Sequence, residues 1–265
     1  MIRPITFGLA VVFASGSFAQ SPRLSSVQSP PIGAIIQVIE YDPKINMVTV
    51  TIANVSHKDI TGYNLSVKET LADGSTDNSE LLADYVGRIA LVEEARGTAD
   101  EAAIRKQFGD GLFHPGETRK EMVGVQPGAK DIQIVVDSVT YTDHTSESTN
   151  ADGLQRIMSH RKQEIASTQL ANEIIKAALA DPNDADPAAT AAKKIQERII
   201  LWKAQRHTTL DLETGTLRGV VDKLKGISSD STNKRDALNQ YLEKIEQRIA
   251  TLSPHAELPK AVGPQ

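Results

Sequence analysis

The sequence predicts an α+β chain in two parts, an antiparallel β-sandwich with a helical insertion followed by an antiparallel α-helical hairpin or bundle. Short runs rich in Val, Ile, Thr and Tyr, separated by turn residues, fill residues 33–69 and 119–142. From residue 152 onward, apolar residues return every three or four positions over long proline-free stretches. Aromatic residues make up only 4% of the 265 positions and cysteine is absent, so both cores must be aliphatic and held without disulfides.

The chain opens with Arg3, an apolar run from Ile5 to Ala14, and the small-residue ending Ser17-Phe18-Ala19. This is the layout of a cleavable secretory signal over residues 1–19, cut between Ala19 and Gln20. The run is shorter than the roughly 20 apolar residues that a spanning helix needs, so no stable transmembrane span is expected in the mature chain. Without cysteine there is no lipoprotein acylation site. The expected location is extracytoplasmic, either periplasmic or secreted. Residues 20–31 read as a flexible leader.

Residues 33–41, 46–54 and 61–69 read as the first strands. In Met47-Val48-Thr49-Val50-Thr51-Ile52 the period is two, with Val48, Val50 and Ile52 on one face. Asp73-Gly74 suits a tight reversal. Pro115-Gly116 and Pro127-Gly128 preset turns on either side of a strand at 119–125, and a longer strand follows at 131–142. In that last strand Ile132, Ile134 and Val136 fall on one face and Val135, Asp137, Val139 and Tyr141 on the other. Between the two strand blocks, residues 80–94 place Leu81, Leu82, Tyr85, Val86, Ile89 and Val92 near helical spacing, with a strand as the alternative, and residues 100–108 read as a second short helix. The sandwich is bounded at 32–146, with its insertion at about 80–108.

The phrase from Val50 to Tyr63, through Asn54-Val55-Ser56-His57-Lys58-Asp59, followed by Asp73-Gly74 and Pro115-Gly116-Glu117, resembles the small immunoglobulin-like sandwich modules of bacterial envelope proteins, of the FxLYD kind. The fuller pattern, with Val136-Asp137-Ser138-Val139-Thr140-Tyr141-Thr142-Asp143 leading into a long helix, is similar to uncharacterised secreted proteins of acidobacteria. In those proteins Asp-Gly closes the strand, where this chain has Asp143-His144. The resemblance implies an immunoglobulin-like fold and a binding or structural module. It brings no reaction and no functional residues with it.

After polar residues 145–150, read as an open linker, helices are predicted over 150–252. The first runs from 152 to 180 and stops at Asp181-Pro182. The second starts at Pro187, passes Ile195, Ile199 and Trp202 and continues to about Leu224, with Gly215 and Gly219 as breaks. The third spans 233–252, where Leu238, Tyr241, Leu242, Ile245, Ile249 and Leu252 alternate steps of three and four like a coiled-coil seam. Three helices, or a long hairpin plus one, are expected, followed by a disordered tail at 253–265.

Acidic residues outnumber basic ones before residue 150 and the two are nearly balanced after it, within a net charge of -5. No basic track for nucleic acid is present. The six histidines stand singly, without a helical i, i+4 pair. Asp143-His144 and Phe113-His114 could approach each other across a sandwich. Glu93-Glu94 and Asp100-Glu101 read as solvated helix surface, and Asp181 to Asp186 lacks the glycine and terminal glutamate of a calcium loop. No nucleophile elbow or phosphate-cradling glycine loop occurs. No catalytic, metal or cofactor site is therefore expected. Trp202, Tyr241 and Ile245 are the candidate interaction residues, Trp202 serving either as an exposed anchor or as packing between helices. The expected function is that of an exported, non-catalytic binding or scaffolding protein of the bacterial envelope, with a sandwich for recognition and helices for assembly. Its partner would be an unknown envelope protein or a second copy of the chain. The alternative is a hydrolase or metal-dependent enzyme whose site is assembled from distant residues.

Overall fold

The computed structural model describes residues 21–26, 32–206 and 212–261. The expected signal peptide and its cut lie outside the described residues. The chain has a mixed α+β architecture, strands first and helices after.

Strands β1 (Arg23–Ser25), β2 (Ala34–Asp42), β3 (Met47–Asn54), β4 (Ile60–Thr70) and β5 (Thr76–Asp84) come first. Helices α1 (Val86–Ala95) and α2 (Glu101–Phe108) follow, then β6 (Thr118–Gly124), β7 (Asp131–Tyr141) and β8 (Thr145–Ser148). One antiparallel sheet has the order β2-β3-β6. The other begins β5-β4-β7-β8, with β1 lying parallel to β7. The two sheets share one core, in which Val48, Val50 and Ile52 of β3 join Tyr63, Leu65 and Val67 of β4 and Ile132, Ile134 and Val136 of β7.

Two findings correct the sequence reading of the strands. Residues 80–84 belong to β5, which pairs with β4 from Thr70↔Thr76 to Gly62↔Asp84, and the helix begins only at Val86. Leu81, Ala83 and Tyr85 point to the core with a period of two, and helical spacing starts at the next residue. The apparent helical run was therefore two periods joined at Tyr85. In β7 the ladder to β4 steps from Leu65↔Val136 to Asn64↔Ser138 and leaves Asp137 as a bulge. An extra residue reverses the alternation of faces. Val139 and Tyr141 consequently enter the same core as Ile132, Ile134 and Val136.

The turn chemistry is as expected. Gly74 N–H donates to Leu71 O at 3.1 Å, and Gly116 N–H donates to Asn54 O at 2.8 Å. Asn54 is buried and donates to the carbonyls of Lys58 and Phe113, at 2.9 and 2.7 Å. His144 adopts φ 59°, the backbone state that a glycine would take at this turn.

The rear half contains four long helices, α3 (Ala151–Leu179), α4 (Pro187–Arg206), α5 (Leu212–Asp230) and α6 (Lys234–Leu252). The expected second helix is described as two elements, α4 to Arg206 and α5 from Leu212, and both Gly215 and Gly219 lie inside α5. Ile175, Ile195, Leu217, Leu224, Leu238 and Ile245 form the centre of a second core. The seam on α6 is covered within the chain by α3 and α1.

α3 is the spine of the molecule, about 44 Å long at 1.5 Å per residue. Its first half lies on the outer face of β4 and β7, and its second half belongs to the bundle. At Gly153 the helix backbone meets the bulge so closely that a Cβ would sit 2.1 Å from Asp137 Oδ1. The buried Asp137 carboxylate accepts from Asn64 Nδ2 at 3.1 Å and from Ser66 Oγ, and it lies against the first turn of α3, where the helix dipole favours negative charge.

The sheet is closed by segments expected to be unstructured. Residues 145–148 of the linker form β8, paired with β7, and residues 23–25 of the leader form β1. The tail continues as a 3-10 turn (Ser253–Ala256) and strand β9 (Lys260–Ala261), which pairs parallel with β8. Each supplies backbone partners to a strand that would otherwise present a bare edge.

Candidate functional site

The helical insertion and the bundle enclose a cleft of about 460 Å³ between α1–α2 and α5–α6, with Thr168 of α3 among its lining residues. α1 is held in place because Val86 and Ala90 pack against Ile165 of α3 and Leu252 of α6. Gly87 makes room for α3, since a Cβ there would lie 3.1 Å from Glu164 Oε1.

The charged wall of the cleft is an ion-pair network. Arg248 of α6 donates from Nη2 to Glu164 Oε1 at 2.6 Å and from Nη1 to Glu94 Oε1 at 3.3 Å. Burial pushes the Glu94 carboxyl up despite the guanidinium beside it. Burial would lower Arg248, but the two carboxylates outweigh it and raise its pKa. Burial and the Glu94 charge raise the Tyr241 phenol, so it stays protonated at any physiological pH. Thr168 Oγ1 donates to Glu164 O at 2.8 Å, a bond within its own helix.

The apolar wall comes from Leu91, Ala95 and Ile104 on the insertion and from Val220 and Ile245 on the bundle. Gly215 and Gly219 stand one turn apart on α5 and also line the cleft. A Cβ at either would meet nothing within 4 Å. Interior glycine weakens a helix by about 1 kcal/mol relative to Ala, and no close packing requires it here. The effect of both residues is to leave the cleft open.

Of the candidate interaction residues, Tyr241 and Ile245 line this cleft. Trp202 does not. It packs against the bundle core on the face shared by Ile195 and Ile199, with the Arg198 guanidinium 5.2 Å from its ring centre, while its neighbours Ile200 and Leu201 are the exposed ones. Glu94 was read as solvated surface and is instead largely buried on Arg248. Its partner is 154 residues away, so no local pattern marks the pair.

The two histidine groups flank the same short segment, Lys58-Asp59, but take different partners there. His114 lies between two carboxylates, Nδ1 2.7 Å from Asp59 Oδ1 and Nε2 3.0 Å from Asp110 Oδ2. The Asp59 hydrogen bond raises its pKa. With both ring nitrogens occupied, neither is open to a substrate proton. Asp143 pairs with Lys58 at 2.8 Å, and the His144 ring stacks on that of His255, centres 4.9 Å apart. Among the described residues no group of three or more His, Asp or Glu could hold a metal ion, and no helix is long and apolar enough to cross a membrane.

No protein-family model and no curated protein matches the chain. A solved structure of a hypothetical protein from Peptoclostridium difficile 630 is similar at 15% identity, with a TM-score of 0.27, over 46% of this chain and 89% of that one. A likeness of that size carries no argument about fold or function.

Proposed function

We propose that the chain is an exported, non-catalytic binding protein of the bacterial envelope, in which an immunoglobulin-like module of the FxLYD kind forms the rigid base and the cleft above it takes the ligand. The observation that carries this reading is the chemistry of the cleft. Its volume suits a small-molecule site, and its walls combine apolar side chains with a few placed charges. Its ionisable centre, Arg248, is paired on both sides, and its phenol is held protonated. Such groups bind and orient, whereas acid–base chemistry needs a group poised near neutral pH and within reach of the substrate. The apolar seam of α6 packs on the chain's own α3 and α1, which supports placing recognition at the cleft.

Native mass spectrometry of the mature protein recovered from the extracytoplasmic fraction tests the reading. A small bound species is expected in the wild type and is expected to be absent from Gly219→Phe, whose side chain fills the cleft. Turnover of chromogenic ester, phosphate, glycoside or peptide substrates by the purified protein, abolished by one substitution, would overturn the non-catalytic reading.

A further inference from the structure

The insertion also borders a second cavity, of about 320 Å³, which shares no lining residue with the cleft. Arg88 of α1, Gln107 and Phe108 of α2, and Arg119, Lys120 and Glu121 of the edge strand β6 line it. We propose that this cavity binds a phosphate group, either free phosphate or that of a small phosphomonoester. Its two guanidiniums are held by aromatic rings rather than by carboxylates. The ring of the buried Tyr85 has the Arg119 guanidinium 4.3 Å and the Arg88 guanidinium 4.9 Å from its centre. Phe113 supports Arg119 at 5.0 Å, and Phe108 supports Arg88 at 5.9 Å. A ring engages the flat face of a guanidinium and leaves the in-plane N–H edge to an acceptor. Arg88 makes no hydrogen bond or ion pair among the described residues. Arg119 donates to Leu112 O and to the Tyr85 hydroxyl and approaches Glu117 Oε2 only at 3.7 Å. With five N–H donors each, both guanidiniums keep some unspent. Because they share one ring, a single oxyanion can reach both with contacts of about 2.8 Å.

The sign of the ligand follows from the charges in and behind the lining. Arg88, Arg119 and Lys120 stand against one lining carboxylate, Glu121, which is turned to the core and accepts from Tyr63 Oη at 2.8 Å. Counting Glu117 as a second acid still leaves one positive charge in excess. The other acids near α2 are occupied, Glu101 by Arg105 and Asp110 by His114. Lys120 forms no ion pair among the described residues. The excess favours an anion and repels a cation. A carboxylate has two oxygens, which one bidentate guanidinium satisfies, whereas cations supplied by two elements call for the additional oxygens of a phosphate.

Isothermal titration of the full mature chain with inorganic phosphate, phenyl phosphate and benzoate, at neutral pH and constant ionic strength, tests this. Both phosphates are expected to bind one to one, at least tenfold more weakly in the double variant Arg88→Gln/Lys120→Gln. Both positions are exposed, and circular dichroism reports that the fold persists. Binding is expected to be unchanged in Lys194→Gln, which removes an exposed cation on α4, and in Gly219→Phe, which fills the cleft. Inorganic phosphate binding at least as tightly as phenyl phosphate assigns the site to the free anion, and tighter binding of phenyl phosphate assigns it to a phosphomonoester. Benzoate binding as tightly as phenyl phosphate would overturn the choice of phosphate over carboxylate. Phosphate binding that ignores the double variant, or that is lost in Gly219→Phe, would overturn the location. Absence of binding by both phosphates would overturn the site.

Discussion

Arg161 of α3 and Asp84 at the end of β5 form an ion pair out of solvent, Nη2 to Oδ1 3.1 Å and Nε to Oδ1 3.1 Å. The same guanidinium donates to Thr61 O, Thr140 Oγ1 and His255 O, so one side chain ties α3 to β4, β7 and the C-terminal turn. Gly62 permits the approach, since a Cβ there would lie 3.0 Å from Arg161 Nη2. Burial works to raise the Asp84 carboxyl, but hydrogen bonds from His160 and Arg161 outweigh it and hold it below the usual carboxylate range.

Removing either partner leaves a buried charge without its counter-ion. Arg161→Ala and Asp84→Ala are each expected to lower unfolding free energy by about 3 to 5 kcal/mol in denaturant titrations. Arg96→Ala breaks only the exposed i, i+3 pair with Glu93 and should change stability by less than about 0.5 kcal/mol. A similar small loss for Arg161→Ala would show that α3 is not anchored through this residue.

The same substitution should have opposite signs at two glycines. Gly153→Ala drives a methyl into Asp137 and Ser138, and a loss of about 1 to 3 kcal/mol is expected even though alanine favours the helix. Gly226→Ala on α5 meets nothing within 4 Å and should gain about 0.5 to 1 kcal/mol. Paired thermal melts decide, and a stabilised Gly153→Ala would refute the close approach of α3 to the bulge.

Acid should loosen the C-terminal turn. Burial, then the Arg161 and His144 charges, push His255 from 6.5 down to about 4. Between those values the folded state binds fewer protons than the unfolded one, so stability falls as pH drops from about 6.5 to 4. The imidazole is partly exposed, which reduces the expected loss to about 1 to 2 kcal/mol. His114 acts in the opposite direction, because its raised pKa favours the folded state at low pH. The contribution is therefore read as the difference between wild type and His255→Phe, which keeps a stacking ring. Parallel pH profiles for the two proteins would remove His255 as its source.

The proposed export makes a prediction about the covalent chain. N-terminal sequencing of protein from the extracytoplasmic fraction should begin at Gln20 or within a few residues of it. Full-length protein confined to the cytoplasm would defeat the assigned location.

The turns were legible because their chemistry is local: Asp73-Gly74 and Pro115-Gly116 need no knowledge of the rest of the chain. The two-part order was legible from periodicity for the same reason. Where two periods meet at Tyr85, or a bulge at Asp137 reverses the faces of β7, the determining contacts are with β4, and a one-dimensional pattern does not carry them. The seam of α6 was read correctly as apolar, and Tyr241 and Ile245 were singled out from it. The cleft they line was hidden because its other side comes from α1 and α2, and because Glu94 and Arg248 look like ordinary surface charges until the chain brings them together.

The pairing of β9 with β8 sets an order of events during biosynthesis. β8 is made before any of the long helices, yet its parallel neighbour is drawn from Lys260–Ala261, near the end of the chain. That sheet therefore keeps an open edge through synthesis of the whole helical half and acquires this strand only after residues 260–261 have been made. Until then β8 presents unpaired backbone groups along that edge, the kind of surface on which a strand of a second copy can add.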